Sequence, residues 1–202
     1  MKHIKGLSLL LVTLLLVLGG CKSNTDNSSK ASSASLTAAA KLSFSTADFD
    51  QISLVFLSHA ENKDNAGWTK AQATATFGSP TSTSSSTIAT HKVTTLSWTR
   101  GTSRLAITFA GKNGTGGAFI KSIANMDRKN AKTVTADMVN KITRDTTRSA
   151  VKKVLGVAAT QTKNQTSDNH VLDTWVYTLN DGSQTTVKMT QGRVTDVNTV
   201  EK

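Results

Sequence analysis

The stretch Thr46-Ala47-Asp48-Phe49-Asp50-Gln51-Ile52 is echoed by Thr135-Ala136-Asp137-Met138-Val139-Asn140-Lys141-Ile142, and this echo decides how the chain reads. In each copy a threonine N-cap can accept a bond from a free backbone N–H, and the aspartate beside it complements the helix dipole. Apolar residues then follow at helical spacing: Phe49 and Ile52 in the first copy, Met138, Val139 and Ile142 in the second.

A second pair of signals lies further on. Thr69-Lys70 leads through Ala73 to Phe77-Gly78, and Thr147-Arg148 leads through Val151 to Leu155-Gly156, with identical internal spacing. Each reads as a short helix with a threonine N-cap and a glycine stop. Pro80 lies two residues beyond Gly78, whereas Val157 and Ala158 follow Gly156. The Ser/Thr-rich stretches 79–90 and 157–170 read as loops. After them the period changes to two. Val93, Leu96 and Trp98 are followed by Leu105, Ile107 and Phe109, then by Phe119, Ile120 and Ile123. The second copy gives Leu172, Trp175 and Tyr177, then Val187 and Met189, then Val194 and Val197. Turn residues separate these runs, Asn180-Asp181-Gly182 and Gln191-Gly192 among them. Each half reads helix, helix, then three antiparallel strands. The expected fold is α+β, a tandem repeat in which two short helices pack on each small sheet, with units at 43–126 and 133–202.

The N-terminus has a different logic. Lys2 and Lys5 precede an apolar run from Leu7 to Leu18 that is too short to span a bilayer comfortably. It ends in Leu18-Gly19-Gly20-Cys21, an arrangement that resembles a bacterial lipobox. Residues 1–20 therefore read as a lipoprotein signal peptide, with the Cys21 thiol accepting the lipid. Cys21 is the sole cysteine, so neither a disulfide nor a cysteine-based metal cluster is available. Residues 21–42 are rich in Ser, Asn, Thr and Ala, with little to bury, and read as a flexible tether. The expected location is the extracytoplasmic face of a cell membrane.

The net charge is +11, and removal of Lys2 and Lys5 with the signal peptide leaves +9. The excess is diffuse: Arg144, Arg148, Lys152 and Lys153 form the densest group, and nucleic acid is not the expected partner. Paired carboxylates, a nucleophile beside a base and metal-ligand spacing are all missing from the sequence, so neither catalysis, nor a metal, nor a cofactor is expected. His59, His91 and His170 fall in stretches read as loops. Gly111-Lys112-Asn113-Gly114-Thr115-Gly116-Gly117 leads into a strand rather than a helix, so it reads as a turn and not as a phosphate loop. Trp98 and Trp175 occupy corresponding places and read as packing residues, while Trp68 is placed to cover the helix beginning at Thr69, together with Phe77.

Thr69-Lys70, Phe77-Gly78-Ser79-Pro80, the Trp98 strand and Phe109-Ala110-Gly111 together resemble a domain of Gram-positive lipoproteins catalogued as DUF3862. That domain is similar to the repeats of the β-lactamase inhibitor protein (BLIP) and, more distantly, to SmpA/OmlA (BamE) lipoproteins. The resemblance implies helices on one sheet face, with the other face open to grip a partner protein. If Val187 and Met189 face the helices, Thr186, Lys188 and Thr190 face away. Leu105, Ile107 and Phe109 inward likewise leave Ala106 and Thr108 outward. Thr108, Thr186, Lys188 and Thr190 are the candidate interaction residues. The reading is a non-catalytic cell-surface lipoprotein that binds an envelope protein. Two alternatives stay open: a binder of teichoic acid or anionic lipid, and a β-lactamase inhibitor.

Overall fold

A computed structural model describes residues 43–62, 67–129, 131–167 and 170–202. The signal peptide, the tether and Cys21 lie outside the described residues. Among those described, no helix is long and apolar enough to cross a membrane.

The helices start where side chains can satisfy their first free N–H groups. The first, α1 (Thr46–Asp50), is capped one residue earlier than its sequence implied. Ser45 Oγ accepts from Asp48 N–H at 3.3 Å, while the Asp48 carboxylate accepts from Ser45 N–H at 2.8 Å. In α3 (Lys70–Phe77), Thr69 and Gln72 form the same reciprocal box. Thr135 caps α4 (Ala136–Val139) and Thr147 caps α5 (Arg148–Leu155), each accepting one backbone bond. Gly78 and Gly156 end α3 and α5 at φ near +80°, a backbone region that is costly for residues with a Cβ. A further turn of helix, α2 (Leu57–Ala60), has no side-chain cap and was not read from the sequence.

The strands are β1 (Ser82–Ile88), β2 (His91–Arg100), β3 (Ser103–Ala110), β4 (Ala118–Ala124), β5 (Thr160–Ser167), β6 (His170–Thr178), β7 (Gln184–Thr190) and β8 (Arg193–Val200). They form one eight-stranded antiparallel sheet in the order β1 to β8, each pairing with its neighbours in sequence. This overturns the expected fold. There are not two small sheets, each backed by its own pair of helices; most of the described chain is a single sheet carrying a few short helices. The stretches expected to be loops hold the two missing strands. β1 is an edge strand exposed along most of its length, so an apolar alternation was never required of it. β5 pairs with both β4 and β6 and so joins everything into one sheet. The three histidines are not in loops either: His59 lies in α2, and His91 and His170 open β2 and β6.

Two apolar clusters sit on the same face of this sheet. One gathers Phe44, Phe49, Ile52 and Phe77 over Leu96, Trp98, Leu105, Ile107 and Phe109. The other gathers Val139, Ile142, Val151 and Leu155 over Trp175, Tyr177, Val187 and Met189. The anticipated contact of Trp68 with Phe77 is present, with ring centroids 5.8 Å apart. A third, smaller cluster joins Leu57 and Ala60 of α2 to Val93, Ala110 and Phe119. Val93 and Ala110 are cross-strand partners whose parity is opposite to that of Leu96 and Ile107. The segment around α2 therefore reaches the other face of the sheet. Gly116 permits this approach, because a Cβ there would lie 2.5 Å from the Ala60 carbonyl oxygen.

Candidate functional site

The face of the sheet turned away from α1, α3, α4 and α5 is read most directly from the ladder register. One cross-strand row runs Ser82, Ser97, Ala106, Ser122, Thr162, Thr174, Lys188, Asp196. The next runs Ser84, Thr95, Thr108, Ile120, Asn164, Leu172, Thr190, Arg193. Small and hydroxylated side chains dominate both. With strands about 4.8 Å apart, eight strands span about 34 Å, and seven residues of strand give about 24 Å in the other direction. The whole face measures roughly 800 Å², the size of one side of a standard protein–protein interface, and the part left open by α2 is smaller.

Thr186, Lys188 and Thr190 lie on this face, half-buried and alternating with the buried Thr185, Val187 and Met189. Lys188 Nζ reaches the Asp196 carboxylate across the ladder at 3.0 Å. Thr108 is on the same face four ladder steps from Thr190, about 19 Å away, so the four candidates share a surface without converging on a point. Thr108 is buried, and its hydroxyl is hydrogen-bonded to that of Thr95 at 2.9 Å. The expectation of a wholly open face fails at this end, where the α2 cluster covers part of β2 to β4.

The opposite face holds a second feature that the sequence did not announce. Between the two large apolar clusters, Lys121 on β4, Gln161 and Lys163 on β5 and Asp173 on β6 point the same way as the core residues. With Thr46, Phe49 and Asp50 from α1 and Arg148 and Lys152 from α5, they line a cleft of about 360 Å³. A shallower hollow of about 480 Å³ shares Arg148 and Lys163 and adds Thr147, Ser149 and Gly192. Arg148 Nη2 forms an ion pair with the carboxylate of Asp173, which is only 4 % exposed. Lys121 is 5 % exposed, and its ammonium donates to the carbonyls of Phe49 at 2.6 Å and Ile52 at 3.0 Å. The same Nζ lies 4.4 Å from the centre of the Phe49 ring. Lys121 thus supplies to the C-terminal end of α1 the cation that the helix lacks in its own last turn. Arg148 and Lys152 belong to the basic group noted in the sequence, and Thr46 and Phe49 to the helix signal; Asp50, Lys121, Gln161, Lys163 and Asp173 carried none. Asp50, Lys121, Lys163 and Asp173 are far apart in sequence and meet only through the ladder. Among the described residues no group of three or more His, Cys, Asp or Glu is placed to hold a metal.

Burial, and then the neighbouring Lys163, lower the Lys121 ammonium from 10.5 to about 8. Between pH 8 and 10.5 the folded chain therefore holds this lysine neutral while the unfolded chain still binds its proton. Stability should rise with pH across that window, by at most about 1.4 kcal/mol per unit. Lys163 is lowered as well, again chiefly by burial, and acts in the same direction. Burial raises the Tyr177 phenol, so this group works the other way above about pH 10, once the unfolded chain ionises. Urea midpoints measured from pH 7 to 11 should climb and then fall. Lys121→Met should flatten the climb, and a wild-type midpoint that drops steadily above pH 8 would contradict this account.

Comparison with known proteins adds a family to this geometry. The profile described as "Beta-lactamase inhibitor (BLIP)" matches residues 62–179. Among solved structures, a candidate beta-lactamase inhibitor protein from Streptococcus mutans is similar, with a TM-score of 0.60 at 13% identity. The match covers 77% of this chain and 94% of that one. At that identity the likeness concerns the fold. No protein of curated function matches the chain.

Proposed function

Because this chain belongs to the beta-lactamase inhibitor (BLIP) family, we propose that it is a non-catalytic binding protein that grips a folded partner protein with the face of its sheet turned away from α1, α3, α4 and α5, beside the part that α2 covers. The supporting observation is the register itself: eight strands present two continuous rows in which short side chains are the commonest, with β5 joining the two halves into one sheet. Short hydroxyl side chains cost little rotamer entropy to order, and they let another backbone come close. Thr186, Lys188 and Thr190 supply one flank of the surface, with Thr174 and Thr162 towards its middle.

The site of action we assign is the outer side of the cell membrane, with Cys21 carrying the lipid and residues 21–42 as the spacer. The sequence supports this through the Leu18-Gly19-Gly20-Cys21 pattern. Crosslinking in intact cells, comparing the lipidated protein with Cys21→Ser, tests location and partner together. An inhibition assay against a class A β-lactamase asks whether the partner is the one the family is named for. In either setting Thr174→Arg combined with Thr186→Arg should weaken capture at least about tenfold, because a partner fitted to short side chains must bury an unpaired charge. Undiminished capture by this double variant would remove this face from the interface.

A further inference from the structure

The cleft between α1 and α5 lies on the other side of the sheet, and its charges do not balance. Four cations line it, Lys121, Arg148, Lys152 and Lys163, against two carboxylates, Asp50 and Asp173. Asp173 is already engaged by Arg148, and Asp50 sits exposed at the rim. The guanidinium is only partly used by that pair: its Nε is buried and has no partner. Lys163 makes no side-chain hydrogen bond or close ion pair among the described residues, although the Asp50 carboxylate is near enough to favour its charge and it lines both hollows. A buried donor left unpaired costs stability, as do like charges gathered in a cavity, so a cleft of this composition is suited to an anion brought from outside.

We propose that this cleft is a binding site for a phosphate monoester, its phosphoryl oxygens accepting from Arg148 and Lys163, with Lys152 at the mouth and the remaining Lys121 proton facing it from the floor. The charge count selects the class of ligand. The lining has an excess of two positive charges, and a phosphate monoester carries close to two negative charges at neutral pH. A single carboxylate or a phosphodiester would leave one cation unmatched. A planar guanidinium with an unused edge also suits the oxygen spacing of a phosphoryl group. The site is independent of partner capture, because its residues and those of the proposed partner-binding face point to opposite sides of the sheet.

The test uses the purified full chain at constant ionic strength, titrated with inorganic phosphate and separately with dimethyl phosphate, which mimics a diester. Calorimetry at pH 7.5 should show phosphate binding, with dimethyl phosphate at least about tenfold weaker. Lys163→Gln should weaken phosphate about tenfold or more, since bonds to charged groups are the strong ones. Lys141→Gln, exposed and outside the cleft, should change nothing. If Lys163→Gln fails to fold by circular dichroism, the exposed Lys152→Gln carries the comparison and should weaken binding several-fold. Affinity should also fall above pH 8, where phosphate is already the dianion and Lys121 is losing its proton. Vesicles containing phosphatidic acid identify the source: vesicle binding that phosphate displaces assigns the group to a lipid headgroup, and no vesicle binding assigns it to a soluble ester. Equal affinity for phosphate and dimethyl phosphate, phosphate affinity untouched by Lys163→Gln and Lys152→Gln, or vesicle binding indifferent to both would overturn the proposal.

Discussion

Trp98→Ala should cost the fold about 3–5 kcal/mol, among the largest losses of any single substitution in the first apolar cluster. Trp98 is 2 % exposed, and its ring centroid lies 5.5 Å from that of Phe77. Phe77 in turn contacts Phe44 at 5.9 Å and Trp68 at 5.8 Å, so four aromatic rings depend on one another's positions. Removing the indole opens a void that flat rings from three different segments cannot close together. It also removes the donor that Trp98 Nε1 offers to the Gly78 carbonyl at 2.9 Å, at the point where α3 stops and the chain turns towards β1. Trp98→Phe should recover part of the loss, since it restores a ring but not the bond. Urea unfolding of the full chain measures both variants. A loss under 1 kcal/mol for Trp98→Ala would mean that the cluster repacks freely.

The second large effect is expected at Asp173. Asp173→Asn keeps the size of the side chain but leaves Arg148 without its counter-charge, beside Lys121 and Lys163. Breaking a buried pair from one side costs about 3–5 kcal/mol. Because the Arg148 side chain is 38% exposed, the lower end of that range applies. Arg148→Met combined with Asp173→Leu should recover most of the stability, since both charges then leave together. If the single and double variants lose the same amount, the pair is a matter of shape and not of charge. Added phosphate should stabilise Asp173→Asn more than the wild type, because the variant cleft carries one more uncompensated cation.

How much of this was legible in the sequence depends on whether the signal was local. The caps at Thr69, Thr135 and Thr147 and the stops at Gly78 and Gly156 lie within a turn of what they control, and these helices stand where the sequence placed them. The cap of α1 shifted by one residue, because Ser45 and Asp48 complete a reciprocal box that Thr46 cannot. Strands with one apolar face were equally clear, β2, β3, β6 and β7 above all. β1 and β5 were missed because a hydrophobic period records only burial on one side. Ser82 to Thr87 buries neither side. In β5, Gln161 and Lys163 turn polar groups into the cleft while Thr162 and Asn164 occupy the other face. That omission alone turned one sheet into two. The cleft was invisible for a related reason: its charged residues come from Asp50 through Asp173, and no spacing within a single element brings them together.

The neighbour-to-neighbour order of the eight strands also bears on how the chain finds its native state. Every ladder but one can zip from a hairpin between consecutive strands; β4 and β5 are the exception, because residues 125–159, with α4 and α5, lie between them and that loop must close before their pairing repays its entropy. Other long closures belong to the docking of α1: Phe44 N–H reaches Ser103 Oγ across 59 positions, and Lys121 reaches the Phe49 carbonyl across 72. Transition-state structure should therefore concentrate in tight turns such as Asp181 to Ser183, where the Asp181 carboxylate already holds Ser183 N–H at 2.8 Å. Phe49 should add its contacts only on the native side of the barrier, so truncating it would hasten unfolding and leave the refolding rate nearly unchanged.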